Sequence, residues 1–265
     1  MTPTNLFSTR PIIGMIHLLP LPGSPDYGGD IQAIYERAEW EADALQRAGV
    51  DAIIVENLGD EPYLIGEPAP DQLALMSAVT YQVVRTSCVP VGVNVQFNAW
   101  QAEIAIAHAC RADFVRVEVF VDTVLMAQGT VQPCAAQITR YRKSLGANVH
   151  LWADVQTKYT ANILPQPITQ SAKDAQDAGA DALIVTGAAT GAATPLDAVA
   201  EVKQVVNLPV LVGSGTNSDT VDQVLKIADG AIVGSSLKEG GNAKNKVSYE
   251  ATKAFMEKAR KARSE

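Results

Sequence analysis

The sequence is short of the features that mark processed, membrane or nucleic-acid-binding chains. Only three of its 265 residues are cysteine, Cys88, Cys110 and Cys134. They lie far apart with no CxxC pair, which excludes a thiolate zinc site and a disulfide-stapled scaffold and predicts reduced thiols in a reducing compartment. Positive charge is scarce: 21 Lys and Arg against 29 Asp and Glu leave a net charge of −8. The one basic cluster, Lys253 to Arg263, reads as a terminal helix with cations at its negative end, so nucleic acid is not an expected partner. Apolar runs fall far short of the ~20 residues that cross a bilayer. The opening Met1 to Arg10 has no cationic start followed by an apolar core, so no secretory leader is expected. These absences predict a cytoplasmic protein without an integral membrane segment.

What is present is a core and a repeat. The chain is 47% apolar, enough to bury a large interior and to exclude a mainly disordered protein. Ala48-Gly-Val-Asp51-Ala-Ile-Ile-Val55 recurs as Cys110-Arg-Ala-Asp113-Phe-Val-Arg-Val117, as Ala178-Gly-Ala-Asp181-Ala-Leu-Ile-Val185 and as Ile227-Ala-Asp229-Gly-Ala-Ile-Val233. Each copy ends a helix, turns at Asp and enters an apolar run. A second pattern, Arg10-Pro-Ile-Ile, Val89-Pro-Val-Gly-Val and Leu208-Pro-Val-Leu-Val, places proline at a strand start, where a missing donor is tolerated. With Val149-His-Leu-Trp-Ala153 the patterns predict strands near 12–16, 52–56, 91–95, 114–118, 149–154, 182–186, 210–213 and 231–234. Runs of Val, Ile and Leu without alternation suit strands buried on both faces of a parallel sheet. Helical patterns lie between them. The first keeps Ile31, Ile34, Ala38, Ala42 and Leu45 on one face, with Asp30 as cap and Gly49 as stop. Others fall near 71–87, 98–109, 134–145, 168–178, 195–206, 217–227 and 248–262.

Eight strands alternating with eight helices specify an α/β fold, a (β/α)₈ barrel forming a single domain over residues 1–265. A doubly wound open sheet is the competitor, and the lack of a GxGxxG after the first strand counts against it. In a barrel the chemistry collects at the C-terminal ends of the strands. That rule selects His17, Glu56, Asn94, Glu118 and Asp154 as catalytic candidates. It also selects Gly213-Ser214-Gly215-Thr216 and Gly234-Ser235-Ser236, glycine- and serine-rich turns whose amides suit a phosphate. Converging Glu56, Glu118 and Asp154 read either as ligands of a divalent cation, Mg²⁺ or Mn²⁺, or as carboxyls that raise one another's pKa. Arg116 faces the same end and reads as neutralising Glu118; Lys158 reads first as a solvated loop lysine, with closure over the substrate, or a Schiff base, as the alternative. The proline-rich Leu18 to Gly29 reads as a wall or lid over the mouth, joined by 59–70 and 120–133. Tyr35, Trp40 and Trp100, on helices whose outer faces should be polar, motivate a homo-oligomer.

Several of these segments carry a resemblance. Gly14-Met-Ile-His17-Leu-Leu-Pro-Leu-Pro-Gly-Ser-Pro25, Val55-Glu56-Asn57-Leu-Gly-Asp60-Glu-Pro-Tyr63 and Gly92-Val-Asn94-Val95 resemble the BtpA/SgcQ family. The likeness continues through Ala153-Asp154-Val155 to Gly234-Ser-Ser-Leu-Lys238-Glu-Gly-Gly241 and so spans nearly the whole chain. Gln96-Phe97 and Glu118-Val-Phe120 depart from the family pattern. The resemblance implies a TIM barrel, and a link to photosystem I biogenesis in cyanobacteria. Two functions follow as expectations. One is an enzyme that binds a small phosphorylated molecule and performs lyase, isomerase or aldolase-like chemistry. The other is a non-catalytic factor for a membrane complex, associated peripherally with the thylakoid membrane.

Overall fold

A computed structural model describes residues 6–264; Met1 to Asn5, the start of the segment read for a leader, lie outside the described residues. Eight parallel strands close into a barrel: β1 (Ile12–His17), β2 (Ala52–Glu56), β3 (Val91–Asn94), β4 (Phe114–Val117), β7 (His150–Val155), β9 (Ala182–Val185), β10 (Val210–Val212) and β11 (Ala231–Val233). Their order round the barrel is β1-β11-β10-β9-β7-β4-β3-β2, so the first strand pairs with the last. The intervening helices are α1 (Ile31–Ala48), α2 (Pro70–Thr86), α3 (Trp100–Cys110), α4 (Ala135–Ser144), α5 (Ile168–Asp177), α6 (Leu196–Val205), α7 (Val221–Ile227) and α8 (Tyr249–Ser264). The helix read near 217–227 starts four residues late. Asn217 and Thr220 instead bond locally, with Asn217 Oδ1 accepting from the Asp219 N–H at 2.8 Å, and form a turn. Asp30 caps α1 by accepting from the Ala33 N–H, and Gly49 ends it at φ +90°, as its composition dictates.

Three short strands lie outside the barrel: β5 (Val124–Met126), β6 (Gly129–Val131) and β8 (Ala161–Asn162). They pair antiparallel in the order β6-β5-β8. Segment 120–133, read as a loop, is thus largely a hairpin, whose strands are too short to show an alternating signal.

Alternation on the barrel strands separates two layers of core. Residues facing outward pack under the helices. Inward-facing Ile13, Met15, Ile54, Ile184, Leu211 and Ile232 join Phe114 and Trp152 in a second cluster inside the barrel, with Leu6 against it. Phe114 and Trp152 stack at 3.6 Å between ring centroids. Gly92, paired with Phe114 across β3 and β4, has no Cβ because the Phe114 ring occupies that space. The barrel floor is therefore solid.

The other predicted surfaces are explained within one chain. Tyr35 and Trp100 are half-buried against the core, Trp100 meeting Tyr141 edge to face, and Lys246 covers the exposed Trp40 ring at 3.5 Å. The basic tail is α8, where Arg260 bonds the Ala48 carbonyl and Arg263 pairs with Asp51. No helix among the described residues is long and apolar enough to cross a membrane.

Candidate functional site

Two residues beyond the aromatic floor, the same strands turn polar. β4 runs Phe114, Arg116 and then Glu118 just past its end, and β7 runs Trp152, Asp154. Arg116 donates to both oxygens of Asp154, Nε to Oδ1 at 2.9 Å and one Nη to Oδ2 at 3.0 Å. Both residues are buried, and Thr157 Oγ1 adds a bond to Asp154 Oδ2 at 2.9 Å. Burial works against the guanidinium charge, but the Asp154 pair outweighs it and raises the Arg116 pKa. Arg116 therefore neutralises Asp154 and not, as its position suggested, Glu118.

Glu118 has different partners. Asn94 Nδ2 donates to its Oε1 at 2.6 Å, and the Asn98 N–H to its Oε2 at 3.0 Å. Burial pushes its pKa up to about 8, with Asn94 opposing and the Asp154 charge adding to the rise. Behind it lies a second carboxyl that strand-end reasoning does not select. Glu103, on α3, is fully buried. Its Oε1 accepts from the Val95 N–H at 3.0 Å and from Asn94 Nδ2 at 3.3 Å, and its Oε2 has no partner among the described residues. Burial first, then the neighbouring Glu118, raise the Glu103 pKa well above the carboxylate range. A neutral Glu103 is the form that avoids an orphaned buried charge. Its one sequence signal is an acidic residue flanked by Ala102 and Ile104 on an apolar face. Asn94, 0% exposed, also donates to the Arg116 carbonyl at 3.0 Å. It does not reach the cavity; it holds Glu118 from behind.

On the far side of the barrel mouth, His17 Nδ1 lies 2.8 Å from the Ala243 carbonyl. A carbonyl only accepts, so Nδ1 carries the hydrogen and Nε2 keeps its lone pair. Burial, then Lys238, lower the His17 pKa well below its usual value and keep the ring neutral. Gly234 lies against the ring, where an added Cβ would stand 3.0 Å from Cε1. Lys238 is itself buried and donates to Glu41 of α1 at 2.7 Å, fastening the loop after β11.

Two adjoining cavities fill the mouth, of about 740 and 500 Å³. His17 and the glycine-serine turns line the first; Gln96, Glu118 and Asp154 line the second; Glu56, Arg116 and Lys158 line both. Glu56 is buried, and burial raises its pKa against the pull of Arg116. Lys158 is not the solvated loop lysine its surroundings in sequence suggested. It makes no hydrogen bond or ion pair among the described residues, and burial, then Arg116, lower its pKa. In the first lobe the N–H groups of Gly215, Ser235 and Ser236 have no acceptor among the described residues.

The predicted hydroxyls divide. Ser214 Oγ accepts from the Gly187 N–H at 2.7 Å and donates to the Ala192 carbonyl, and Ser236 Oγ donates to the Thr216 carbonyl at 2.7 Å. Both tie loops together, leaving Ser235 as the serine whose hydroxyl has no partner among the described residues. Two other readings are corrected. Leu18–Gly29 does not roof the mouth: it packs beside it, with Asp60 Oδ1 accepting from the Leu21 N–H at 2.7 Å, and lines neither cavity. Glu56, Glu118 and Asp154 do not make a cation cage. Asp154 is committed to Arg116 and Thr157, and no group of three or more His, Cys, Asp or Glu among the described residues is placed to hold a metal ion.

Comparison with known proteins agrees with this architecture. Residues 8–261 match the family model described as "BtpA family". An uncharacterized protein of Pyrococcus abyssi is 38% identical over 91% of this chain and 93% of its own. The photosystem I biogenesis protein BtpA of Synechocystis is 36% identical over 96% of this chain and 90% of its own. Among solved structures, thiamine phosphate pyrophosphorylase from Pyrococcus furiosus superposes with a TM-score of 0.61 at 18% identity, covering 97% and 99% of the two chains. The last likeness is one of fold.

Proposed function

The chain belongs to the BtpA family, and we propose that it is an enzyme acting on a small phosphorylated metabolite held across the two lobes of its mouth. The observation that carries this reading is the first lobe. There the N–H groups of Gly215, Ser235 and Ser236 and the Ser235 hydroxyl have no partner among the described residues, on a cavity that the Lys158 ammonium also lines. Unpaired amides at a glycine-rich turn, with a cation nearby, favour a phosphate by hydrogen bonding and charge together. Once the phosphate is anchored, the reacting carbon lies at the seam formed by Glu56, Arg116 and Lys158. His17 Nε2, neutral and unprotonated, serves as proton acceptor on one side. Glu118, whose raised pKa keeps it protonated near neutrality, serves as donor on the other. Arg116 and Asp154, locked in a bidentate pair, fix the polar floor and move no proton. That division of roles suits an isomerase, lyase or aldolase-like proton transfer.

Calorimetric titration with inorganic phosphate tests the anchor. Saturable binding that weakens in Ser235→Ala and is lost in Gly215→Val is expected; the glycine has φ +72°, and its position faces the Ala192–Ala193 backbone. Equal binding by both variants and the parent chain overturns it.

A second reading, a non-catalytic factor for a membrane complex, is favoured by one observation. Leu64, Leu125, Ile163 and Leu164, all exposed, gather at the rim around the β5–β6 hairpin. The name of the Synechocystis relative points the same way. Complementation of a deletion strain separates the two. A folded Glu118→Gln protein that fails to rescue favours catalysis, whereas full rescue favours the scaffold.

A further inference from the structure

The second lobe has a chemistry of its own. Leu58, Tyr63, Phe97 and Met126 form one wall. That wall is held in place: Phe97 packs with Val119, Val124 and Val131 beneath the hairpin, and Tyr63 and Met126 pack onto the same cluster. The Tyr63 hydroxyl donates to the Leu58 carbonyl at 3.0 Å, so its hydrogen is committed within the wall. The same lobe is lined by the carboxyl groups of Glu56 and Glu118, 4% exposed each, and by Lys158. Arg116, which also lines the lobe, directs its Nε and one Nη to Asp154. The lobe therefore combines an apolar slab with carboxyl groups.

A bare sugar phosphate fits this poorly. Its hydroxyls project from both faces, and those turned to the slab would be desolvated without partners. A flat nitrogen ring fits both: its face lies on the slab, and its edge can donate an N–H to Glu56 and accept from the protonated Glu118. Resting on the phosphate anchor proposed above, we infer that the ligand is a phosphorylated nitrogen heterocycle whose ring occupies this second lobe.

The test is calorimetry on the full chain with inorganic phosphate, ribose 5-phosphate, adenosine, AMP, GMP and pyridoxamine 5′-phosphate as probes. At least one ring phosphate is expected to bind about tenfold or more tighter than ribose 5-phosphate, the factor that a single well-packed ring contact supplies. Met126→Asp, or Ala127→Asp at the exposed hairpin tip should Met126→Asp unfold, is expected to cancel that gain, so that ring phosphates bind no tighter than ribose 5-phosphate. Ring phosphates no tighter than ribose 5-phosphate, with phosphate still binding, overturn the ring inference and leave the anchor standing. A ring preference shown by adenosine with no binding of phosphate supports the ring and overturns the anchor. Binding of no probe overturns both.

Discussion

The floor and the mouth of this barrel are built from the same strands, two residues apart, with opposite chemistry. On β4 and β7 a stacked Phe114–Trp152 pair gives way to a bidentate Arg116–Asp154 pair. Gly92 makes room for the Phe114 ring, and Asn94, two residues on, holds Glu118. His17, Glu56, Arg116 and Asp154 are therefore each mounted on a strand whose neighbouring inward residue, Met15, Ile54, Phe114 or Trp152, is packed in the core. This packing keeps a cluster of buried charges in one geometry.

Removing the floor should be the larger injury. Trp152→Ala deletes a fully buried ring and is expected to cost about 3–5 kcal/mol by denaturant unfolding. A loss under 1 kcal/mol would mean that the floor does not support the barrel. Breaking the pair above it comes next. Arg116→Met leaves Asp154 buried without a counter-charge, at about 3 kcal/mol, and adding Asp154→Leu should recover most of that loss. A double variant no more stable than Arg116→Met would show that packing, not charge, governs the position.

The pH dependence sharpens the contrast, since the floor titrates nothing. With its folded pKa raised to about 8 from 4.5, Glu118 binds more protons folded than unfolded between those values. Its contribution is fully present below about pH 4.5 and is lost as pH rises towards 8, with a slope of at most about 1.4 kcal/mol per pH unit. His17 acts in the opposite sense: its lowered pKa costs stability as pH falls below about 6.5. Glu118→Gln should therefore flatten the decline on the alkaline side and leave the acid side intact. An unchanged profile would place the Glu118 pKa near that of a free carboxylate.

Glu103→Gln should have a smaller effect, within about 1 kcal/mol at pH 5, because burial favours the neutral carboxyl and the amide has the same shape. A larger loss at pH 5 would mean that Glu103 is ionised. Smallest is Ser235→Ala, which should leave stability within about 0.5 kcal/mol while weakening phosphate binding; a drop in melting temperature would assign that hydroxyl a structural bond.

How much of this was legible depended on what each residue answers to. The barrel strands were visible because burial on both faces leaves unbroken Val-Ile-Leu runs, and the Asp turns repeat at their entrances. His17, Glu56, Glu118 and Asp154 were visible because barrel polarity assigns strand ends to the mouth. Partnership was not. Nothing local distinguishes Asp154, locked by Arg116 and Thr157, from an Asp free to ligate. Nor does sequence show that Ser214 and Ser236 spend their hydroxyls on loop carbonyls while Ser235 does not. Glu103 escaped for a related reason: its role comes from burial of a helix residue against Asn94, Val95 and Glu118. Lys158, read as solvated, instead lines both lobes. The β5–β6 hairpin was hidden by its brevity.

The contact between His17 and the Ala243 carbonyl joins positions 226 residues apart, and Lys238 reaches Glu41 across 197. The first lobe is thus assembled from the opening strand and the closing loop, and a growing chain on the ribosome cannot possess it until the last quarter-turn of the barrel has been made. A ligand seated there would grip both ends of the polypeptide at once. It would act as a clasp on the seam between β1 and β11, so that occupancy would report completion of the fold and delay its reopening.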